Sequence, residues 1–119
     1  MILWITGNSG SGKTTLARQI QSQLDKCVVL DGDEIRKMFK DSDLSKEGRW
    51  KHNLRIAKLA KFIHEEFSVD VIVSVIAPYS ALRQEVQAIT GCAFIYLKIK
   101  AKNSKFPYEY EKDKFYFTK

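Results

Sequence analysis

The sequence predicts a doubly wound α/β domain, a parallel sheet with helices on both faces. Three observations predict it. Short apolar, β-branched runs recur along the chain and alternate with stretches of helical periodicity. The first run leads directly into Gly7-Asn8-Ser9-Gly10-Ser11-Gly12-Lys13-Thr14, which fits the pattern G-x-x-x-x-G-K-[ST]. Strand, glycine loop and helix thus follow one another in the order that a right-handed crossover requires. All 119 residues read as a single domain, large enough to bury about two thirds of its unfolded surface in one core.

The first strand is Ile2-Leu3-Trp4-Ile5-Thr6, apolar enough to be buried on both faces. In the loop that follows, glycines let backbone N–H groups approach phosphates that a Cβ would obstruct. Lys13 is then expected between the β- and γ-phosphates of a nucleoside triphosphate, and the Thr14 hydroxyl on Mg²⁺. The helix opening here, residues 14–24 with Leu16, Ile20 and Leu24 on one side, aims its positive end at the same phosphates. The domain is therefore expected to be of the P-loop NTPase type.

Cys27-Val28-Val29-Leu30 is the second strand, and it ends in Asp31-Gly32-Asp33-Glu34-Ile35-Arg36. Ligands of parallel sheets bind at the carboxyl ends of strands, so these carboxylates fall near the phosphates. Asp33 precedes a helix expected over residues 34–39 and is suited to capping it. The Asp31 and Asp33 pair is equally suited to accepting a proton from an acceptor hydroxyl or to serving Mg²⁺ as an outer ligand, Asp31 through water. Residues 40–46 read as a polar loop and residues 51–67 as a long helix burying Leu54, Ala57, Ala60, Ile63 and Phe67. Arg49 and Asn53, four apart, are expected to project together toward the crevice.

Residues 69–75 are the best candidate for a central strand, with Asp70 at its mouth. Ser80 is expected to cap a helix running to Ile89, with Leu82, Val86 and Ile89 inward, and Gly91 to end it. Residues 93–99 form the fourth strand and Phe115-Tyr116-Phe117 a fifth. The aromatics of Phe106-Pro107-Tyr108-Glu109-Tyr110 are expected to cover the core.

Composition narrows the setting. Hydrophobic residues make up 45% and charged residues 29% of the chain, an ordinary balance for a globular domain. No apolar run approaches the roughly 18 residues of a membrane span, and no basic leader precedes the first strand, so no membrane or secretory role is expected. Cys27 and Cys92 match no metal spacing and read as reduced thiols in or beside strands, which places the protein in the cytoplasm. The formal charge of +6 favours anionic partners, small phosphorylated molecules as much as nucleic acid. Lys98, Lys100, Lys102 and Lys105 alternate as on an exposed edge or loop.

From Ile2 to about Leu97 the chain resembles adenylylsulfate kinase, which phosphorylates the 3′-hydroxyl of adenosine 5′-phosphosulfate with ATP. The resemblance rests on the loop from Gly7 to Thr15, on Leu30-Asp31-Gly32-Asp33-Glu34-Ile35-Arg36, on Asn53-Leu54-Arg55, and on Val73-Ser74-Val75-Ile76-Ala77-Pro78 with Arg83 beyond. It implies ATP and Mg²⁺ on Gly10 to Thr15, with Asp33 and Asp31 beside the acceptor hydroxyl. It further implies Arg36, Arg49 and Asn53 on the acceptor's phosphosulfate and the backbone around Ile76 at its base.

The chain also departs from that family. Where the family sandwiches the acceptor base between aromatic rings, this sequence has Leu44 and Val75, a loss of stacking worth about 1 to 3 kcal/mol. Ala77 replaces a serine and leaves only direct transfer. Between Lys100 and the Phe106 segment there is room for only residues 101–105, where the family carries an arginine-bearing lid. Closure by a second copy of the chain, a homodimer, is one expected remedy. Three functions stay open: a kinase for adenosine 5′-phosphosulfate or another nucleotide-linked acceptor such as a cytidine diphosphate derivative, a polynucleotide 5′-hydroxyl kinase, and a nucleotide-binding module without catalysis.

Overall fold

The computed structural model describes residues 1–8, 10–97 and, for the course of the backbone, 116–118. The elements run β1 (Ile2–Gly7), α1 (Lys13–Gln21), β2 (Cys27–Asp31), α2 (Gly32–Phe39), α3 (Lys46–Phe67), β3 (Asp70–Ser74), α4 (Ser80–Thr90), β4 (Ala93–Leu97) and β5 (Tyr116–Thr118). The strands β1 to β5 pair in parallel in one sheet of order β2-β3-β1-β4-β5.

The two-residue period of a strand sorts its side chains between two layers. On one face Ile2 and Trp4 of β1 and Val71 and Val73 of β3 pack with Ile35, Ile56, Ala57, Ala60, Leu82 and Val86 from α2, α3 and α4. On the other, Leu3, Ile5 and Ile72 pack with Leu16 and Ala17 of α1. Helices therefore cover both faces, and the strands bury both sets of side chains, as their unbroken apolar runs require.

Four expectations are corrected at element ends. α1 stops at Gln21, and Gln23 N–H and Leu24 N–H bond to carbonyls three residues back, which tightens the last turn and swings Leu24 onto the α1-side core. α3 begins at Lys46, not residue 51, because the Ser45 hydroxyl accepts the Gly48 N–H at 3.1 Å and caps it. Phe67, at its far end, is 64% exposed and stands edge-on to Phe62. In α4 the N-cap is Tyr79, without a side-chain bond, and Ser80 is the first helical residue.

Other features lie where expected: Gly91 caps α4 in the left-handed conformation, at φ 64. Asp70 opens β3, at the amino ends of the strands and so at the end of the sheet away from the glycine loop. Lys98, Lys100, Lys102, Lys105, the segment 106–110 and Phe115 fall outside the described residues. Cys27 and Cys92 are free, and burial pushes the Cys92 thiol up to about 11. Among the described residues, no helix is long and apolar enough to cross a membrane.

Candidate active site

A cavity of about 330 Å³ opens at the carboxyl ends of β1, β2 and β3. One wall is the glycine loop and the start of α1: Gly10, Gly12, Lys13, Thr14 and Thr15. Gly10 and Gly12 take φ of 79 and 88, a region that side chains with a Cβ rarely adopt. Lys13 Nζ donates to the Asn8 carbonyl at 2.8 Å and lies 3.5 Å from Ser11 Oγ. Burial lowers the Lys13 ammonium's pKa, while Asp33 and Asp31 pull it back up, so both carboxylates lie within its electrostatic reach.

Gly7, Asn8 and Ser11 stand behind this wall and do not line the cavity. Gly7 ends β1 against the Leu97 carbonyl, and Asn8 O holds the turn by accepting the Ser11 N–H at 3.1 Å. Ser9 lies outside the described residues.

Asp31 joins the glycine loop to α2. Its Oδ2 accepts the Thr14 hydroxyl at 2.9 Å; its Oδ1 accepts the backbone N–H of Asp33 at 2.9 Å and of Glu34 at 3.4 Å. The capping carboxylate is thus Asp31 and not Asp33, a correction that leaves Asp33 in the first helical turn, exposed on the cavity wall. The reason is that α2 starts two residues earlier than its apolar period suggests.

Gly32 tolerates nothing larger. A Cβ there would lie 2.6 Å from Val75 Cγ2 and 3.3 Å from the Ser74 carbonyl. Valine is stiff at χ1 and cannot turn away. Gly32→Ala is expected to destabilise the fold by about 1 to 3 kcal/mol, read as a lower urea midpoint at unchanged slope.

The far wall carries Arg36, Leu44, Arg49, Val75 and Ile76. Arg36 Nη1 donates to Asp43 O at 3.1 Å and lies 3.5 Å from Asp41 Oδ1. Arg49 is 5% exposed and donates from Nε to Leu44 O at 3.0 Å; burial, with Arg36 adding like charge, lowers its pKa while Tyr79 raises it. Asn53 departs from expectation: it lies behind the wall, fully buried, with its Nδ2 donating to Arg49 O and Ile76 O.

Beside Gly32, two lining residues have no role in the sequence reading. Ser74 Oγ lies 3.5 Å from Thr14 Oγ1, and its signal was a polar residue ending an apolar strand in register with Asp31. His52, 1% exposed, lies 3.0 Å from Gly32 O through Nε2 and 2.7 Å from Arg55 Nη2 through Nδ1. It shares the spacing of Arg49 and Ile56, so the helical period that marked Arg49 marks it too.

Burial first, then Arg36 and Arg55, push the His52 imidazole down to about 4, against the Gly32 carbonyl bond and Asp41. An unfolded chain takes up this proton near pH 6.5 while the folded one withholds it, so stability is lost as pH falls from about 6.5 toward 4. The loss is expected to reach at most about 3 kcal/mol. Urea unfolding at pH 7 and pH 4.5 checks it, and His52→Gln should flatten the dependence.

A sequence model of the adenylylsulphate kinase family matches residues 1–113. The chain belongs to that family. A probable adenylyl-sulfate kinase of Archaeoglobus fulgidus is 39% identical over 88 residues, covering 70% of this chain and 56% of the relative. The adenylyl-sulfate kinase of Myxococcus xanthus is 35% identical over 107 residues, covering 84% of this chain and 57% of the relative. The chain thus spans little more than half the length of these relatives. Among solved structures, the Mycobacterium tuberculosis APS kinase (a Cys556Ala variant) superposes with a TM-score of 0.68 at 26% identity, covering 98% of this chain and 84% of that one. The adenylylsulphate kinase family is a family of P-loop phosphotransferases, and the doubly wound parallel sheet is its fold.

Proposed function

We propose that this chain binds ATP with Mg²⁺ and transfers the γ-phosphoryl group to the 3′-hydroxyl of adenosine 5′-phosphosulfate. The observation that carries the reading is one cavity with Lys13 and Thr14 on one wall, Arg36 and Arg49 on the other and Asp33 between them. The relatives' printed activity supports the choice of acceptor.

Gly10 to Thr15 would hold the triphosphate, with Lys13 leaving the Asn8 carbonyl to lie along the β- and γ-phosphates. Thr14 Oγ1, Asp31 Oδ2 and Ser74 Oγ are converging hard oxygens, a donor set that fits magnesium with the phosphates completing it. Bound there, the metal would neutralise charge on the β- and γ-phosphates. Asp33 accepts the acceptor's hydroxyl proton as the new P–O bond forms and ADP leaves. Arg36 and Arg49 take the acceptor's anionic group, Leu44 and Val75 give its base an aliphatic wall in place of rings, and Asn53 steadies the Ile76 carbonyl behind it. A cytoplasmic setting, supported by two free cysteines, belongs to the same reading. So does assembly of several copies, which the hexameric APS kinase of Thiobacillus denitrificans, 30% identical with a TM-score of 0.68 and covering 80% of this chain and 21% of that one, supports.

ADP release measured with a panel of acceptors tests the proposal. Turnover with adenosine 5′-phosphosulfate well above that with cytidine diphosphate derivatives or a 5′-hydroxyl oligonucleotide is expected. Preference for the oligonucleotide, weakened steeply by salt, would overturn it in favour of a polynucleotide kinase; ATP binding without turnover on any acceptor would leave a binding module.

A further inference from the structure

We infer that His52 is a positioning residue for the Asp31 and Asp33 carboxylates, bracing from α3 the single peptide group that joins Gly32 to Asp33. The inference deepens the proposed phosphotransfer reading and rests on it.

The proton on His52 can be assigned from its partners. Arg55 has only donors to offer, so Nδ1, 2.7 Å from Arg55 Nη2, must accept. Nε2 then carries the hydrogen and donates it to the Gly32 carbonyl at 3.0 Å. Both contacts are satisfied only by the neutral ring. Arg55 is itself fixed, donating to Asp41 Oδ2 at 3.1 Å with its guanidinium 4.3 Å from the centre of the Phe39 ring.

The Gly32 carbonyl and the Asp33 N–H are two ends of one rigid, planar peptide unit. His52 grips the carbonyl end; the N–H end donates to Asp31 Oδ1 at 2.9 Å. Beneath, Gly32 rests on Val75 with no room for a Cβ. Orienting that plane orients the Asp31 carboxylate, which also accepts from Thr14, and sets the point from which Asp33 leaves the backbone. A buried ring on the cavity wall, with no exposed edge and both nitrogens bonded, is built to hold and not to exchange protons with a substrate.

The test compares His52→Leu, which cannot donate, with His52→Gln, whose amide nitrogen can reach the same carbonyl. His52→Leu is expected to lower kcat on the order of 10- to 100-fold, with the ATP Kd and the acceptor KM within about threefold. His52→Gln should stay within about threefold of the parent kcat. Amide exchange at Asp33 and Glu34 should speed up in His52→Leu alone, with β1 and β3 unchanged. Unchanged kcat and exchange in His52→Leu, or the same loss in both variants with exchange raised throughout, would overturn the inference. Should the leucine variant fail to fold, the ¹⁵N shifts of His52 in the parent protein decide: a neutral ring protonated on Nε2 upholds the brace, and any other state removes it. Absence of turnover in the parent would sink the phosphotransfer reading alone, since exchange and ¹⁵N shifts still report on the brace.

Discussion

Lys13→Ala is expected to lower ATP-dependent phosphoryl transfer about a hundred- to a thousandfold, with the fold intact. Lys13 is the first residue of α1, where alanine is an excellent helix former, so the substitution removes charge without breaking the element. The charge matters because phosphoryl transfer needs little covalent help and depends on cations held where negative charge gathers. Partial burial makes the ammonium more effective there than on an open surface, and Asp33 and Asp31 oppose the lowering of its pKa that this burial causes. Steady-state ADP release beside a thermal melt checks the expectation. Turnover within tenfold of the parent, at an unchanged melting temperature, would take Lys13 out of the transition state.

Asp33→Asn is expected to lower kcat about a hundred- to ten-thousandfold and the ATP affinity only a few-fold. Asparagine keeps the shape and the backbone N–H that donates to Asp31, and it loses the ability to take a proton at neutral pH. Its loss of negative charge in the first turn of α2 costs about 0.3 to 1 kcal/mol of stability, too little to unfold the chain. Asp31→Asn would be a poorer probe, because that carboxylate holds Thr14 and caps α2, and stability would fall together with activity. Calorimetry of ATP binding set against kcat separates the two roles. Full turnover in Asp33→Asn would exclude it as proton acceptor.

The layers of this domain were legible because a strand buried on both faces leaves a recognisable trace: Ile2 and Trp4 go to one layer, Leu3 and Ile5 to the other, and no polar residue breaks the run. The glycine loop was legible for a similar reason, since its backbone conformation dictates residue type. The start of α3 was not. Residues 40–46 read as a polar loop with the helix beginning at residue 51, and the Ser45 hydroxyl, bonding across one turn to Gly48, starts the helix five residues earlier. Periodicity also names a helix face and not the residue that reaches a cavity: it favours Asn53 and its neighbour His52 alike, and the fold puts His52 on the cavity wall. Ser74 needed the register between β2 and β3, a fact of tertiary pairing that no local pattern carries.

Asp31 commits one oxygen to each side of the crevice, and this limits how such a protein can be re-engineered. Acceptor choice invites a transplant of α2 from another kinase, and the natural junction looks to be the end of β2. A graft joined there would keep Asp31 but exchange the Gly32-Asp33 unit whose N–H holds its other oxygen, so the phosphate side would shift with the acceptor side. The workable seam falls after Asp33, where a donor helix can be spliced in with the hinge between the two half-sites left whole.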